Sequence, residues 1–140
     1  MIENILLATD GSSTGERATN FAASLALRYR AKVTIVHAYT PMPAYSDAPN
    51  HNRALYETFD VAKSLLEDVA GRLQEMGVAE VESIALEGPA VNVILGVAET
   101  CQADLIVVGA RGLSTWQGIP MGSVSLSVTQ RSAAPVLVVK

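Results

Sequence analysis

Two rhythms of hydrophobic and polar positions alternate along this chain. Short apolar runs recur at Ile5-Leu6-Leu7-Ala8, Val33-Thr34-Ile35-Val36-His37-Ala38-Tyr39, Leu105-Ile106-Val107-Val108 and Val136-Leu137-Val138-Val139. Runs with so little polar interruption read as strands covered on both faces. Between them, apolar residues return about every three or four positions, as on one face of a helix. Ala18, Phe21, Ala22, Leu25 and Tyr29 give the first such face. Leu55, Phe59, Ala62, Leu66, Val69, Leu73 and Met76 give the second, which predicts a helix from Ala54 to Met76 with Gly77 at its C′ position. The step of that stripe also suits a coiled coil, but its α/β surroundings favour a sheet-facing helix. Val78 to Glu87 follows as a strand, with Glu80 and Glu82 marking a sheet edge. Gly88-Pro89 then opens a helix, Pro89 in its first turn, whose apolar side carries Val93, Ile94, Val97, Ala98 and Cys101.

Val124-Ser125-Leu126-Ser127-Val128 alternates as a strand does. The strands on either side of it read as doubly buried, hence parallel, and parallel neighbours need a crossover. A helix from Gly122 to Arg131 meets that need. The resulting β-α-β-α-β-α-β-α-β order predicts an α/β fold, a single open five-stranded parallel sheet with helices on both faces. At 140 residues and 49% hydrophobic, the chain fills one domain spanning 1–140.

Charge and composition narrow the partners. A net charge of −4 with scattered Lys and Arg argues against nucleic acid. One cysteine excludes an internal disulfide or a multi-cysteine metal site, and Cys101 reads as a small buried hydrophobe. No apolar run approaches the ~18 residues of a membrane span, and the stretch after Glu3 is too short for a signal peptide. A soluble, cytoplasmic protein with no membrane partner is the expectation.

Candidate chemistry gathers at strand ends. In Thr9-Asp10-Gly11-Ser12-Ser13, Gly11 permits a tight turn and Ser12 or Ser13 caps the next helix. Asp10 is either a turn acid or a ligand contact facing the crevice. His37 has no second His or acid at a ligand spacing, so it reads as a hydrogen-bonded strand-end histidine. Pro41, Pro43 and Pro49, with Asn50 and Asn52, interrupt the stretch from Thr40 to Arg53. That loop, with Tyr45 and His51, suits either a cover for the crevice or a contact with a second subunit. From Gly109 to Ser123 the chain carries four glycines. A strand, a Gly-rich loop and a Ser at a helix start make a phosphate cradle, because the helix N-terminus presents N–H groups and a positive dipole end. No Lys precedes Ser123 and no GxGxxG follows the first strand, so neither the P-loop nor the dinucleotide fingerprint is present.

The pattern Gly109-x2-Gly112-x9-Gly122-Ser123, with Thr9-Asp10-Gly11-Ser12 at the other end of the chain, resembles the universal stress protein family. The resemblance extends to Pro135-Val136-Leu137-Val138-Val139. It implies a Rossmann-like sheet in the order 3-2-1-4-5. Strands one and four then meet at the topological switch point, where open α/β sheets bind ligands. It further implies an ATP site. Thr9, Asp10, Gly11 and Ser12 would belong to that site, with Asp10 contacting the adenosine moiety, and Ala38 would offer main-chain contacts to adenine. Gly109, Arg111, Gly112, Gly122, Ser123 and Val124 would surround the phosphates. Mg2+ would bridge those phosphates, since no lysine neutralises them. Hydrolysis would be slow or absent, because no positioned base, nucleophile or arginine finger can be named. The expectation is an ATP-binding stress-response or regulatory protein, not an enzyme, dimeric through the edge strand at 135–139. A dimeric interaction module with an empty crevice is the alternative reading, and an ATP-using enzyme the third.

Overall fold

The structure is a computed structural model that describes residues 1–41, 56–111 and 121–140. Strands β1 (Asn4–Ala8), β2 (Lys32–Tyr39), β3 (Val81–Glu87), β4 (Leu105–Gly109) and β5 (Val136–Val139) alternate with helices α1 (Ser13–Tyr29), α2 (Phe59–Glu75), α3 (Ala90–Thr100) and α4 (Ser123–Arg131). All strand pairs are parallel and the order is β3-β2-β1-β4-β5. The expected Rossmann-like α/β sheet is the one observed. Glu80 and Glu82 lie at its β3 edge, as their polarity indicated.

Alternation along β1 divides the core in two. Ile5 and Leu7 face one layer, where Ala18, Ala22, Ala23 and Ala26 of α1 meet Leu66, Val69 and Leu73 of α2. Leu6 and Ala8 face the other, with Val93, Ile94 and Val97 of α3 and Val128 of α4. Successive side chains of a strand point to opposite faces, so four consecutive apolar residues serve both layers. At the far end of the strands, Asp104 pegs β1 in place. Its Oδ2 accepts from the N–H groups of Glu3 (2.8 Å) and Asn4 (2.9 Å). Those donors, the Glu3 N–H foremost, hold the Asp104 carboxyl below the usual carboxylate range.

Three sequence expectations shift. The buried face of α1 is its alanine stripe, while Phe21 and Tyr29 are half exposed, at 48% and 45%. Small residues let the helix approach the sheet closely, and the two aromatics fall off that stripe. The second helix begins at Phe59, not Ala54, because Thr58 caps it by accepting from Val61 N–H at 3.2 Å. Phe59 and Met76, expected on its buried stripe, are exposed, and Leu55 lies outside the described residues. In α3, Pro89 is the N-cap and not a first-turn residue. The ambiguous segment is helical, from Ser123 to Arg131 with Gly122 as N-cap.

Leu73 is fully buried whereas Phe21 is half exposed. Leu73→Ala is expected to cost about 2–5 kcal/mol, and Phe21→Ala about 1 kcal/mol or less. Urea unfolding midpoints check this, and equal losses would refute the assignment of the α1 face.

Candidate functional site

β1 and β4 lie side by side, with Ala8 opposite Val108. The chain leaves β1 for α1 on one face and leaves β4 for α4 on the other. The gap at their carboxyl ends is a cleft of about 320 Å³, within the size range of small-molecule sites.

One wall is the turn after β1. Gly11 adopts φ +83°, a left-handed conformation that favours glycine. Asp10 Oδ1 accepts from Ser12 N–H at 2.9 Å, and Thr9 Oγ1 accepts from Gly11 N–H at 3.3 Å. Ser12 caps α1 by accepting from Gly15 N–H at 3.2 Å. The opposite wall is the end of β4 with the start of α4. Ala110 N–H donates to the Val139 carbonyl at 2.7 Å, and Gly122 N–H donates back to the Ala110 carbonyl. Ser125 Oγ lies 2.7 Å from that same carbonyl and donates to it, with the Gly122 carbonyl 3.1 Å away. The two walls are joined where Thr14 Oγ1 donates to the Arg111 carbonyl. That closeness requires Gly109 to be glycine. A Cβ there would sit 2.7 Å from Thr14 Oγ1 and 3.1 Å from the Thr14 backbone carbon.

The end of β2 closes the cleft with His37, Ala38 and Thr40, while Ala90 and Ile94 of α3 face in from the side. His37 is buried, its Nδ1 2.8 Å from the Thr9 carbonyl and its Nε2 2.8 Å from Glu57 Oε1. Helix ends make the cleft's electrostatics asymmetric. Side chains cap α1 and α2, but α3 and α4 have none, their N-caps being Pro89 and Gly122. Both uncapped ends border the cleft, through Ala90 and through Gly122, Ser123 and Val124. First-turn N–H groups that no N-cap side chain takes up and two positive dipole ends therefore meet there, a setting that favours an anion.

Of the residues singled out in the sequence, Thr9, Asp10, Ser12, Ala38, Gly109, Arg111, Gly122, Ser123 and Val124 line this one cleft. Gly11 shapes the turn without lining it, and Gly112 lies outside the described residues, as does the loop after Pro41 with Tyr45 and His51. Sequence reasoning missed Gly15, Ser125 and the Glu57 partner of His37. A second serine two positions after Ser123 was a signal for Ser125. Nothing in the spacing pointed to Glu57, twenty residues from His37. Among the described residues, no group of three or more His, Cys, Asp or Glu is placed to hold a metal ion. Cys101 is half-buried on the α3 side, and burial pushes its thiol up, away from the reactive thiolate. No helix among the described residues is long and apolar enough to cross a membrane.

Comparison with known proteins agrees with this geometry. The model of the universal stress protein family matches residues 1–140. A universal stress protein of Thermus aquaticus is 35% identical over 140 residues, covering 100% of both chains. Another, from Mycobacterium tuberculosis, is 33% identical over 98% of this chain and 95% of its own. A crystal structure of a universal stress protein in complex with cAMP superposes with a TM-score of 0.77 at 30% identity, covering 99% of this chain and 97% of that one. The chain belongs to the universal stress protein family.

The contact that forces glycine at position 109 is testable without a ligand. Gly109→Ala is expected to lower stability by about 1–3 kcal/mol, because the new methyl must displace backbone as well as the Thr14 hydroxyl. Thermal unfolding reads the loss, and an unchanged Tm would show that the start of α1 yields freely.

Proposed function

We propose that this protein binds ATP, with Mg2+ bridging the phosphates, and acts by nucleotide occupancy and not by turnover. The observation that carries this reading is the cleft itself, where two uncapped helix ends and the turn holding Asp10 converge at the switch point. The relative solved with cAMP supports an adenine nucleotide as the ligand class. Asp10, its Oδ1 already oriented by Ser12 N–H, accepts from ribose hydroxyls. Main-chain groups at Ala38 serve adenine, and Thr9, Gly11 and Ser12 shape the turn beneath the sugar. N–H groups at Gly109, Arg111 and Gly112, and at Gly122, Ser123 and Val124, serve the phosphates, with the exposed Ser123 hydroxyl beside them. Mg2+ completes the charge balance, since no lysine lines the cleft among the described residues. Both ring nitrogens of His37, the buried imidazole on the cleft, are engaged, by the Thr9 carbonyl and by Glu57, so among the described residues no imidazole is poised for an attacking water. Slow hydrolysis or none follows. The lone cysteine suits a reducing compartment such as the cytoplasm.

Calorimetric titration with ATP and Mg2+ is expected to give saturable binding. Gly122→Val abolishes it by placing a side chain where phosphate approaches, and Asp10→Ala weakens it about tenfold, the effect of one hydrogen bond to a charged group. Absence of binding, with no nucleotide released on denaturation, would hand the role to an interaction module. Turnover of several ATP per second would make it an enzyme.

The edge position of β5 favours a homodimer as part of the same reading. Its outer backbone groups are a template for pairing, and Val136, Leu137 and Val138 are only partly buried. Two copies meeting about a two-fold axis through 135–139 satisfy both edges. Light scattering is expected to give a dimer that Val138→Lys dissociates without loss of helical circular dichroism. A monomer at high concentration would refute the pairing.

A further inference from the structure

The His37–Glu57 pair has a role in neither contact nor turnover in that reading, yet it joins three segments, two of which, the ends of β1 and β2, line the cleft. Nδ1 lies 2.8 Å from the Thr9 carbonyl oxygen, and Nε2 lies 2.8 and 3.1 Å from the two carboxylate oxygens of Glu57. Both ring nitrogens thus face acceptors. A carbonyl has no proton to give, and an ionised carboxylate has none either. A ring with one proton serves only one of these contacts and turns a lone pair towards the other oxygen. Two protons shared between imidazole and carboxylate satisfy both, and removing one leaves a repulsive contact in a buried place. Glu57 N–H also donates to the Thr40 carbonyl at 2.8 Å. The pair therefore fastens the end of β1, the end of β2 and the approach to α2 to one another.

We infer that His37 is a protonation-dependent positioning residue for the nucleotide. While the pair holds two protons, the ring fixes the Thr9 carbonyl and with it the turn through Asp10, Gly11 and Ser12. Loss of one proton to solvent releases that carbonyl, loosens the turn and weakens binding, so affinity falls as pH rises through the titration of the pair. The inference rests on the nucleotide reading above. Among the described residues, Glu57 is the ionisable group in contact with the ring. Asp10 and Arg111 line the same cleft, and α3 borders it with the uncharged Ala90 and Ile94. Glu87 on neighbouring β3 is held by the Tyr39 hydroxyl at 3.4 Å.

The test has two arms, both run from about pH 5 to about pH 9, the range in which an imidazole changes charge. In the first, 15N NMR of the ligand-free protein follows the His37 ring and the amides of Asp10, Gly11 and Ser12. Both ring nitrogens are expected to carry protons at the acid end, and the turn amides to move with the ring's own midpoint. In the second, calorimetry follows binding of cAMP, whose phosphodiester keeps one charge across the range while the terminal phosphate of ATP does not. Affinity is expected to drop about tenfold from the acid to the alkaline end, the effect of losing one charge-assisted hydrogen bond. Glu57→Gln supplies the control. Its amide accepts from or donates to Nε2 as required, so Nδ1–H stays on Thr9 in either state and the pH dependence flattens. A ring that titrates without moving the turn amides overturns the inference, as does an equal pH profile in the two proteins. Failure of both cAMP and ATP to bind at every pH overturns the nucleotide reading instead, and the first arm still decides whether the pair holds the turn.

Discussion

A strand buried on both faces has nowhere to put a polar group until it ends. That constraint arranges this molecule. Ile5, Leu6 and Leu7 are fully buried and Ala8 nearly so, since β1 has a helical layer on each side and a strand on each flank. The first polar side chains after this run, Thr9, Asp10 and Ser12, come where the layers part. The same holds for β4, whose run to Val108 is followed by Gly109, Ala110 and Arg111. Because the strands are parallel, these polar ends emerge at one rim. Because β1 and β4 send their connections to opposite faces, the rim opens into a cleft there.

The walls of that cleft are set mostly by main-chain bonds and by small residues. Ala110 is buried, and its N–H and carbonyl both bond within the protein, to Val139, Gly122 and Ser125. Thr14 reaches across from α1 to the Arg111 carbonyl, a distance that only the absence of a side chain at Gly109 permits. Of the helix N-termini that border the cleft, α1 is capped by Ser12, whereas α3 and α4 carry no N-cap side-chain bond. Cleft polarity thus comes from peptide groups, which keep their orientation regardless of rotamer. An acidic chain can present a locally positive site by this means.

How far the sequence discloses this depends on whether the informative contact is periodic, local or remote. Strand runs such as Leu105 to Val108 are legible because double burial demands unbroken apolar residues. The helix at Ser123 is legible against its own alternation, because parallel neighbours require a crossover. The buried face of α1 misleads: Phe21 and Tyr29 carry more hydrophobic area than Ala18 or Ala26, yet close packing on a sheet selects the smaller residues. The start of α2 misleads for a local reason, since an apolar stripe continues through Leu55 but the cap at Thr58 sets the boundary. Within the site, Gly109, Gly122 and Asp10 are legible through glycine spacing and the turn after β1. Glu57 is not, because its pairing with His37 crosses a connection of no fixed period. Only the fold brings them together.

The strand order also has a consequence for a chain made from its amino end. β1 comes before the other four strands in the chain but occupies the middle of the sheet, and the next two strands add to one of its sides only. A nascent chain ending near Gly88 can therefore assemble half a sheet with α1 and α2, leaving the flank of β1 that belongs to β4 as an open edge. Domains tend to fold as synthesis proceeds, so this intermediate exposes unpaired peptide groups along Ile5 to Ala8 until some twenty more residues arrive at Leu105–Gly109. Ala110 then waits for Val139 of β5, the last strand in chain order, before its own N–H is satisfied. The rim is thus completed only once β5 has been made, and a product that stops short of β5 cannot display it whole.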